Sequence, residues 1–257
     1  MGAGRHGIRV VQGCEAVLMS DVRLILGDCL EVMRTMDAGS VDIVFTSPPY
    51  NVGLKYNLYD DKKDWSEFIG WLQEVYAEIY RVMTDSGRVY SVLSDRLMFE
   101  LKPVMENIGF TFGQVLTWYK PNLSGGASRI TGDWNYLTEQ ILLFRKGDRT
   151  PMINGKCNTH SYFVIATPQS NFSEGRFHPA QFPIALPDRI ISRTPGKVIL
   201  DPFMGSGSVG LAAIKNDRNF IGIENDPKYY DVSEKRIALA QMQPNLFETT
   251  PEKENEK

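Results

Sequence analysis

The hydrophobic positions of the chain switch between two periods. Val22–Leu26 and Val41–Thr46 are short β-branched and aliphatic runs, the pattern of strands covered on both faces. Leu30–Met36 between them reads as a short helix. From Trp65 to Met83 the apolar residues fall at 68, 72, 75, 79 and 82/83, one stripe of a helix. Asp64 followed by Glu67 resembles a capping box at its start. Gly87–Ser94 reads as a strand, and Leu97–Asn107 as a helix that Pro103 should kink. Phe110–Tyr119 and Gln140–Arg145 read as paired strands of the same sheet. Later come a strand at Lys197–Asp201, a helix at Ser208–Lys215 and a strand at Phe220–Glu224. Asp226-Pro227 supplies an N-cap and a first helical residue for a helix to about Met242. The alternation predicts an α/β fold.

The stretches 120–136 and 148–178 break this rhythm. They are rich in Gly, Ser, Asn, Thr and Pro and read as loops. Lys120 to Arg176 holds seven Lys/Arg against four Asp/Glu, while the whole chain has a net charge of −3. A mildly basic, loop-rich insertion therefore sits on an acidic body. With a pI of about 5.7, a non-specific nucleic-acid coat is excluded, but a local basic groove is not.

The 257 residues, 42% hydrophobic and 23% charged, suffice for one large domain or two small ones and exclude disorder over most of the length. No apolar run is long enough for a membrane span. The first twenty residues carry Arg5, His6, Arg9 and Glu15 without a continuous apolar stretch, so no signal peptide is expected. Cys14, Cys29 and Cys157 form neither a disulfide framework nor a zinc pair, and a reducing compartment follows.

Two motifs carry chemistry. Asp201-Pro-Phe-Met-Gly-Ser-Gly-Ser-Val-Gly210 joins a strand to a helix, and Glu224 ends the next strand. The glycine spacing fits a dinucleotide fingerprint. A pyrophosphate, however, favours a helix start free of carboxylate, and Asp201 stands at the strand tip. A carboxylate there suits a cation, such as the ammonium of a methionine group. Glu224 can accept from ribose hydroxyls with either cofactor. Both S-adenosylmethionine and NAD remain open on this motif alone.

The second motif is Thr46-Ser-Pro-Pro-Tyr50, at the end of the strand Val41–Phe45. Prolines carry no N–H, so the segment presents acceptors. Ser47 adds a hydroxyl and Tyr50 a flat ring. Two acceptors and a stacking face suit a planar amino group; a stiff turn capping a strand would look the same.

Together the two motifs resemble those of the DNA amino-methyltransferases, which methylate the exocyclic nitrogen of cytosine or adenine. The catalytic motif precedes the cofactor loop, as in the permuted β arrangement of that family. The resemblance spans about residues 22–241 and weakens in 121–136 and 148–176. It implies a Rossmann-like, mostly parallel seven-stranded sheet with S-adenosyl-L-methionine as cofactor. The catalytic residues it implies are Ser47, Pro48, Pro49 and Tyr50. For the cofactor it implies Asp28, Ala180, Gln181, Asp201, Phe203, Gly205, Ser206, Gly207, Glu224 and Asn225. Gly27-Asp28 matches the position beside the cofactor adenine, and His178–Pro183 the segment lining the methionine pocket.

The resemblance further implies a flipped base in double-stranded DNA and direct methyl transfer without metal. Ser at the head of the tetrapeptide goes mostly with cytosine N4 in this family, Asp with adenine N6. Carbon-5 methylation needs a Pro-Cys nucleophile, and here the cysteines follow Gly13, Asp28 and Lys156. Adenine N6 methylation is the alternative. A catalytically inactive nucleic-acid-binding subunit is a second alternative, although both motifs are intact. RNA-base and glutamine-amide methyltransferases with Asn-Pro-Pro-Tyr loops place the cofactor motif first.

Asn51, Lys55 and Tyr56 are candidates to close over the substrate. Lys55, Arg129, Arg145, Lys146, Arg149 and Lys156 are candidate DNA contacts. Trp118, Trp134 and Tyr136 are expected to pack under the insertion. The expected organisation is a flexible extension at 1–20, a catalytic half at 21–120 and a recognition region at 121–178. A cofactor half at 179–243 and a disordered tail at 244–257 follow. A homodimer, a companion restriction endonuclease and a cytoplasmic location in a prokaryote or phage complete the expectation.

Overall fold

The computed structural model describes residues 20–51, 63–123, 137–147, 151–153, 160–168 and 181–242. Among these residues eight strands and six helices form: β1 Val22–Leu26, α1 Cys29–Arg34, β2 Val41–Thr46, α2 Trp65–Val82, β3 Met83–Leu93 and α3 Asp95–Ile108. After them come β4 Thr111–Tyr119, β5 Thr138–Arg145, β6 Tyr162–Val164, α4 Ala185–Ile191, β7 Val198–Asp201, α5 Ser208–Lys215, β8 Asn219–Glu224 and α6 Pro227–Met242. All strands join one sheet in the order β1-β8-β7-β2-β3-β5-β4-β6. β1, β8, β7, β2 and β3 run parallel, and β5 is antiparallel to both β3 and β4.

Seven of these strands are the ones the hydrophobic runs announce. The eighth, β6, is a three-residue edge strand parallel to β4, inside a stretch expected to be loop. So short an apolar run between polar neighbours carries little periodicity. Pro103 lies within α3, where its ring removes the bond to the carbonyl of Phe99. Phe99 is among the most exposed apolar residues.

Period-two alternation along the strands separates two cores. Val44, Val89 and Leu142 turn toward α1, α2 and α3, where Phe68, Leu72 and Tyr76 are fully buried. Ile43, Phe45 and Ile141 turn to the other face, against Leu186 of α4, Val209 of α5 and Ile237 of α6. Helices on both faces leave the ends of the strands as the places where polar side chains converge.

The helix starts are set by local chemistry. Asp64 accepts from the amides of Ser66 and Glu67 at 2.9 and 3.3 Å, which satisfies two donors of the first turn of α2. Asp28 does the same for α1, accepting from Leu30 and Glu31 at 2.9 and 3.1 Å.

Candidate active site

The carboxyl ends of β1, β8, β7 and β2 emerge on one edge of the sheet. The chain leaves β7 toward β8 and leaves β2 toward β3, on opposite sides. The crevice between β7 and β2 is therefore a topological switch point, where open α/β sheets bind ligands.

A cavity of about 1000 Å³, open mouth included, occupies this edge. Gly27 and Asp28 line it from β1, Ser47 to Tyr50 from β2, Pro202 to Ser206 from β7, and Glu224 to Asp226 from β8. Gln181 and Phe182 close one side. Trp71 of α2 and Tyr229 of α6 add aromatic walls, and Trp71 meets Phe203 edge-on with ring centroids 5.7 Å apart.

The loop after β7 turns through Gly205 at φ 53° and Gly207 at φ 80°, conformations that L side chains rarely adopt. Its fold is fastened by Glu224, which accepts from the Gly205 amide at 2.8 Å and from the Asp226 amide at 2.9 Å. Burial raises the Glu224 carboxyl above its usual range. Asp226 gives one oxygen to the Lys228 amide at 2.9 Å, and its Oδ2 is buried without a partner among the described residues.

Asp201 lies beneath the cavity and does not line it. It is 1% exposed, and its Oδ1 accepts from Thr46 Oγ1 at 2.9 Å and from the Phe203 amide at 3.1 Å. Burial pushes its carboxyl up to about 7, although those two bonds favour the charged form. The Thr46 bond ties the two motif-bearing loops together directly.

The loop after β2 is built from acceptors. Tyr50 Oη stands 3.1 Å from Ser47 Oγ, 3.2 Å from the Val92 carbonyl and 3.3 Å from Glu139 Oε2. Asn51 adopts φ 54° and bonds to Lys63 through both its amide atoms. Cys29, which also faces the cavity, is held inert: burial pushes its thiol up to about 12, far from the thiolate that a carbon-5 mechanism needs.

Eleven of the expected residues meet at this cavity: Ser47, Pro48, Pro49, Tyr50, Asp28, Gln181, Phe203, Gly205, Ser206, Glu224 and Asn225. Gly207 does not reach it. It packs under α6, where an added Cβ would stand 3.0 Å from Ser233. Asp28 lines the cavity and caps α1 at once. Ala180, Lys55, Arg129, Arg149 and Lys156, together with Tyr56, Trp134, Tyr136 and His178, lie outside the described residues.

Arg145 and Lys146 stand at the opposite edge of the sheet. Arg145 pairs with Arg88 and Thr111, and the Lys146 amine bonds to the Met83 carbonyl at 2.9 Å. Because β5 runs antiparallel to β3, its carboxyl end points away from the site. Trp118 packs as expected, 2% exposed, with its indole N–H donated to the Ile165 carbonyl at 2.7 Å. Trp71, Tyr229 and Asp226 were missed by sequence reasoning. The first two sit on helices whose facing the motif spacing does not encode, and Asp226 reads as a simple cap.

A family model described as DNA methylase, of the N6/N4 type, matches residues 41–235. The chain belongs to this DNA methylase family. The DNA adenine methyltransferase YhdJ of Escherichia coli (strain K12) is 30% identical over 262 residues, covering 89% of this chain and 87% of that protein. The solved M1.HpyAVI–SAM complex superposes with a TM-score of 0.67 at 26% identity, covering 84% of this chain and 98% of that one. The PvuII DNA methyltransferase (cytosine-N4-specific) gives a TM-score of 0.71 at 19% identity, covering 88% and 93%, which establishes the fold.

In this DNA methylase the cavity fits S-adenosyl-L-methionine on its own chemistry. The lining combines aromatic walls with the buried carboxylate of Glu224 and the orphaned Asp226 Oδ2. These oxygens call for hydroxyl or amino donors, which a ribose and an adenine supply. Among the described residues no group of His, Cys, Asp or Glu has the arrangement of a metal site, and no helix is long and apolar enough to cross a membrane.

Proposed function

We propose that this DNA methylase transfers the methyl group of S-adenosyl-L-methionine to the exocyclic N4 of cytosine in double-stranded DNA, on a base flipped out of the duplex. One observation carries the reading: the acceptor-rich Ser47-Pro-Pro-Tyr50 loop and the Gly205–Glu224 frame line the same cavity. A base inside a duplex cannot bring its amino group so deep into a protein, so flipping precedes chemistry.

The cofactor supplies an electrophilic methyl on a sulfonium. Glu224 and Asp226 hold its ribose and adenine end. Buried Asp201 sets a negative field beneath the methionine end, and Trp71 and Phe203 shape the cavity. Tyr50 stacks on the target base. Ser47 Oγ and the Pro48 carbonyl accept its two amino hydrogens and draw them out of the ring plane. The nitrogen lone pair, otherwise delocalised into the ring, would then attack the methyl carbon in line as its bond to sulfur breaks and a neutral thioether departs. Positioning and fixed dipoles supply the acceleration. The proton lost from the methylated nitrogen leaves for solvent.

Ser47 in place of Asp favours cytosine. Adenine N6 is the second reading, supported by the 30% identity to an enzyme named for adenine. We include in the proposal DNA contact through the basic segment 121–178, a homodimer, and a companion restriction endonuclease in a bacterial or phage cytoplasm. Purified protein is incubated with S-adenosyl-L-methionine and unmethylated duplex DNA, and the digested nucleosides are identified by mass spectrometry. N4-methylcytosine is expected. N6-methyladenine would move the assignment to the second reading. Methylation at neither nitrogen would overturn both.

A further inference from the structure

The neck of the recognition segment touches the catalytic tyrosine. Segment 121–137 leaves the sheet after β4 and returns at β5, and its two ends are clamped by the Lys120 amide bonding to the Leu137 carbonyl at 2.8 Å. At this neck Lys120 Nζ holds Glu139 Oε1 at 2.7 Å, with the lysine side chain 9% and the glutamate side chain 24% exposed. Trp118 lies under the same ammonium, 5.3 Å away. The other oxygen of Glu139 faces Tyr50 Oη at 3.3 Å.

The polarity of these bonds is decided by what each group can offer. A carboxylate and a backbone carbonyl only accept, and Lys120 only donates. Glu139 Oε2 and the Val92 carbonyl both face Tyr50 Oη, so the single phenolic proton points at them. In the 3.1 Å contact between Ser47 and Tyr50, the serine must then be the donor. Its only proton is turned toward the tyrosine, and the lone pairs of Ser47 Oγ are left for something else.

We infer that Glu139, held by Lys120, is a positioning residue that sets this hydrogen-bond polarity and makes Ser47 an acceptor toward the amino group of the target base. The inference rests on amino-methyl transfer as proposed above and applies to either base. A serine hydroxyl is ambivalent where a carboxylate is not. An acceptor-only partner on a neighbouring strand supplies the direction that the serine lacks.

Two substitutions at one position separate polarity from mere support. Glu139→Ala removes the charged acceptor and leaves the neutral Val92 carbonyl, 3.2 Å away, as a weaker hold on the phenolic proton. Glu139→Gln preserves size and adds an NH₂ that can donate to Tyr50 Oη, competing with Ser47 and freeing the serine proton to face the substrate. Glu139→Gln keeps an oxygen that can accept from Lys120, whereas Glu139→Ala removes that acceptor as well, so a slower Gln variant cannot be ascribed to the lost hold on Lys120. Single-turnover methylation of duplex DNA at saturating S-adenosyl-L-methionine is measured, with cofactor affinity as the check on folding.

We expect Glu139→Ala to be slowed several-fold and Glu139→Gln to be slower still, at least tenfold below wild type, with cofactor affinity unchanged in both. In a Tyr50→Phe background, adding Glu139→Gln should cost nothing further. A wild-type rate for Glu139→Ala, or equal rates for the Gln and Ala variants, would overturn the inference while leaving the methyl-transfer reading intact. A wild-type protein that methylates no exocyclic nitrogen would remove that reading, and the inference with it.

Discussion

Two loops leave adjacent parallel strands and meet at one cavity, yet they are built by opposite means. The loop after β7 is glycine-rich, turns through two residues with positive φ, and offers an amide that Glu224 captures. The loop after β2 carries two prolines and presents acceptors. In the function proposed above, the first is a frame for holding a bulky cofactor and the second a frame for receiving the hydrogens of an amino group. Similar positions in the sheet therefore do not imply similar work. What separates them is which backbone groups each sequence leaves free. A buried bond, Thr46 to Asp201 at 2.9 Å, joins the two.

If the loop after β2 does chemistry and not cofactor binding, Tyr50→Ala breaks one side alone. Methyl transfer to DNA should fall by about 100-fold or more, the loss typical of a misplaced reactant. S-Adenosyl-L-methionine affinity, read by calorimetry, should stay within about threefold, since the substitution spares every charged contact to the cofactor. The reciprocal change is Glu224→Ala. Removing charged hydrogen-bond acceptors costs about 3 kcal/mol, roughly 100-fold in cofactor affinity.

Acidification should sharpen the contrast. The Asp201 carboxyl is raised from 3.8 to about 7, so the folded protein without cofactor favours its protonated form. The stability this group contributes is full below about pH 4 and is lost as pH rises through 7. A cationic ligand favours the charged form instead. Cofactor affinity should thus weaken by up to about tenfold per pH unit below 7, while the melting temperature of the cofactor-free protein rises between pH 8 and pH 6. Affinity that is flat from pH 8 to pH 6 would remove Asp201 from the electrostatics of the site.

The smallest effect is expected at the joint between the loops. Thr46→Val keeps the shape and deletes the hydroxyl, a loss of about 1 kcal/mol. Asp201 Oδ1 then keeps only the Phe203 amide. The half-saturating cofactor concentration should rise a few-fold, and the pH midpoint should move upward.

Much of this arrangement was legible in the chain because strands covered on both faces must be continuous apolar runs. Val41–Thr46 could hardly be anything else, and the residues just after such a run stand at the edge where ligands bind. Ser47, Tyr50, Gly205 and Glu224 were found in this way. Direction was harder to read. Arg145 and Lys146 were named among the basic residues that are candidate DNA contacts. The antiparallel course of β5 carries them to the far edge, and nothing local records that reversal. Glu139 escaped notice for the related reason that its importance comes from the carbonyl and hydroxyl it meets across strands. Asp201 was assigned to cofactor contact and instead lies one layer below, because the tight turn after β7 folds Pro202 and Phe203 over it.

The division of labour between the loops is tested most directly by one experiment. The single-turnover rate of methyl transfer to duplex DNA is measured against S-adenosyl-L-methionine concentration for Tyr50→Ala and Glu224→Ala side by side. The account predicts that Tyr50→Ala lowers the plateau and keeps the half-saturation point, whereas Glu224→Ala shifts the half-saturation point and recovers the wild-type plateau. Plateau and half-saturation moving together in both proteins would contradict it.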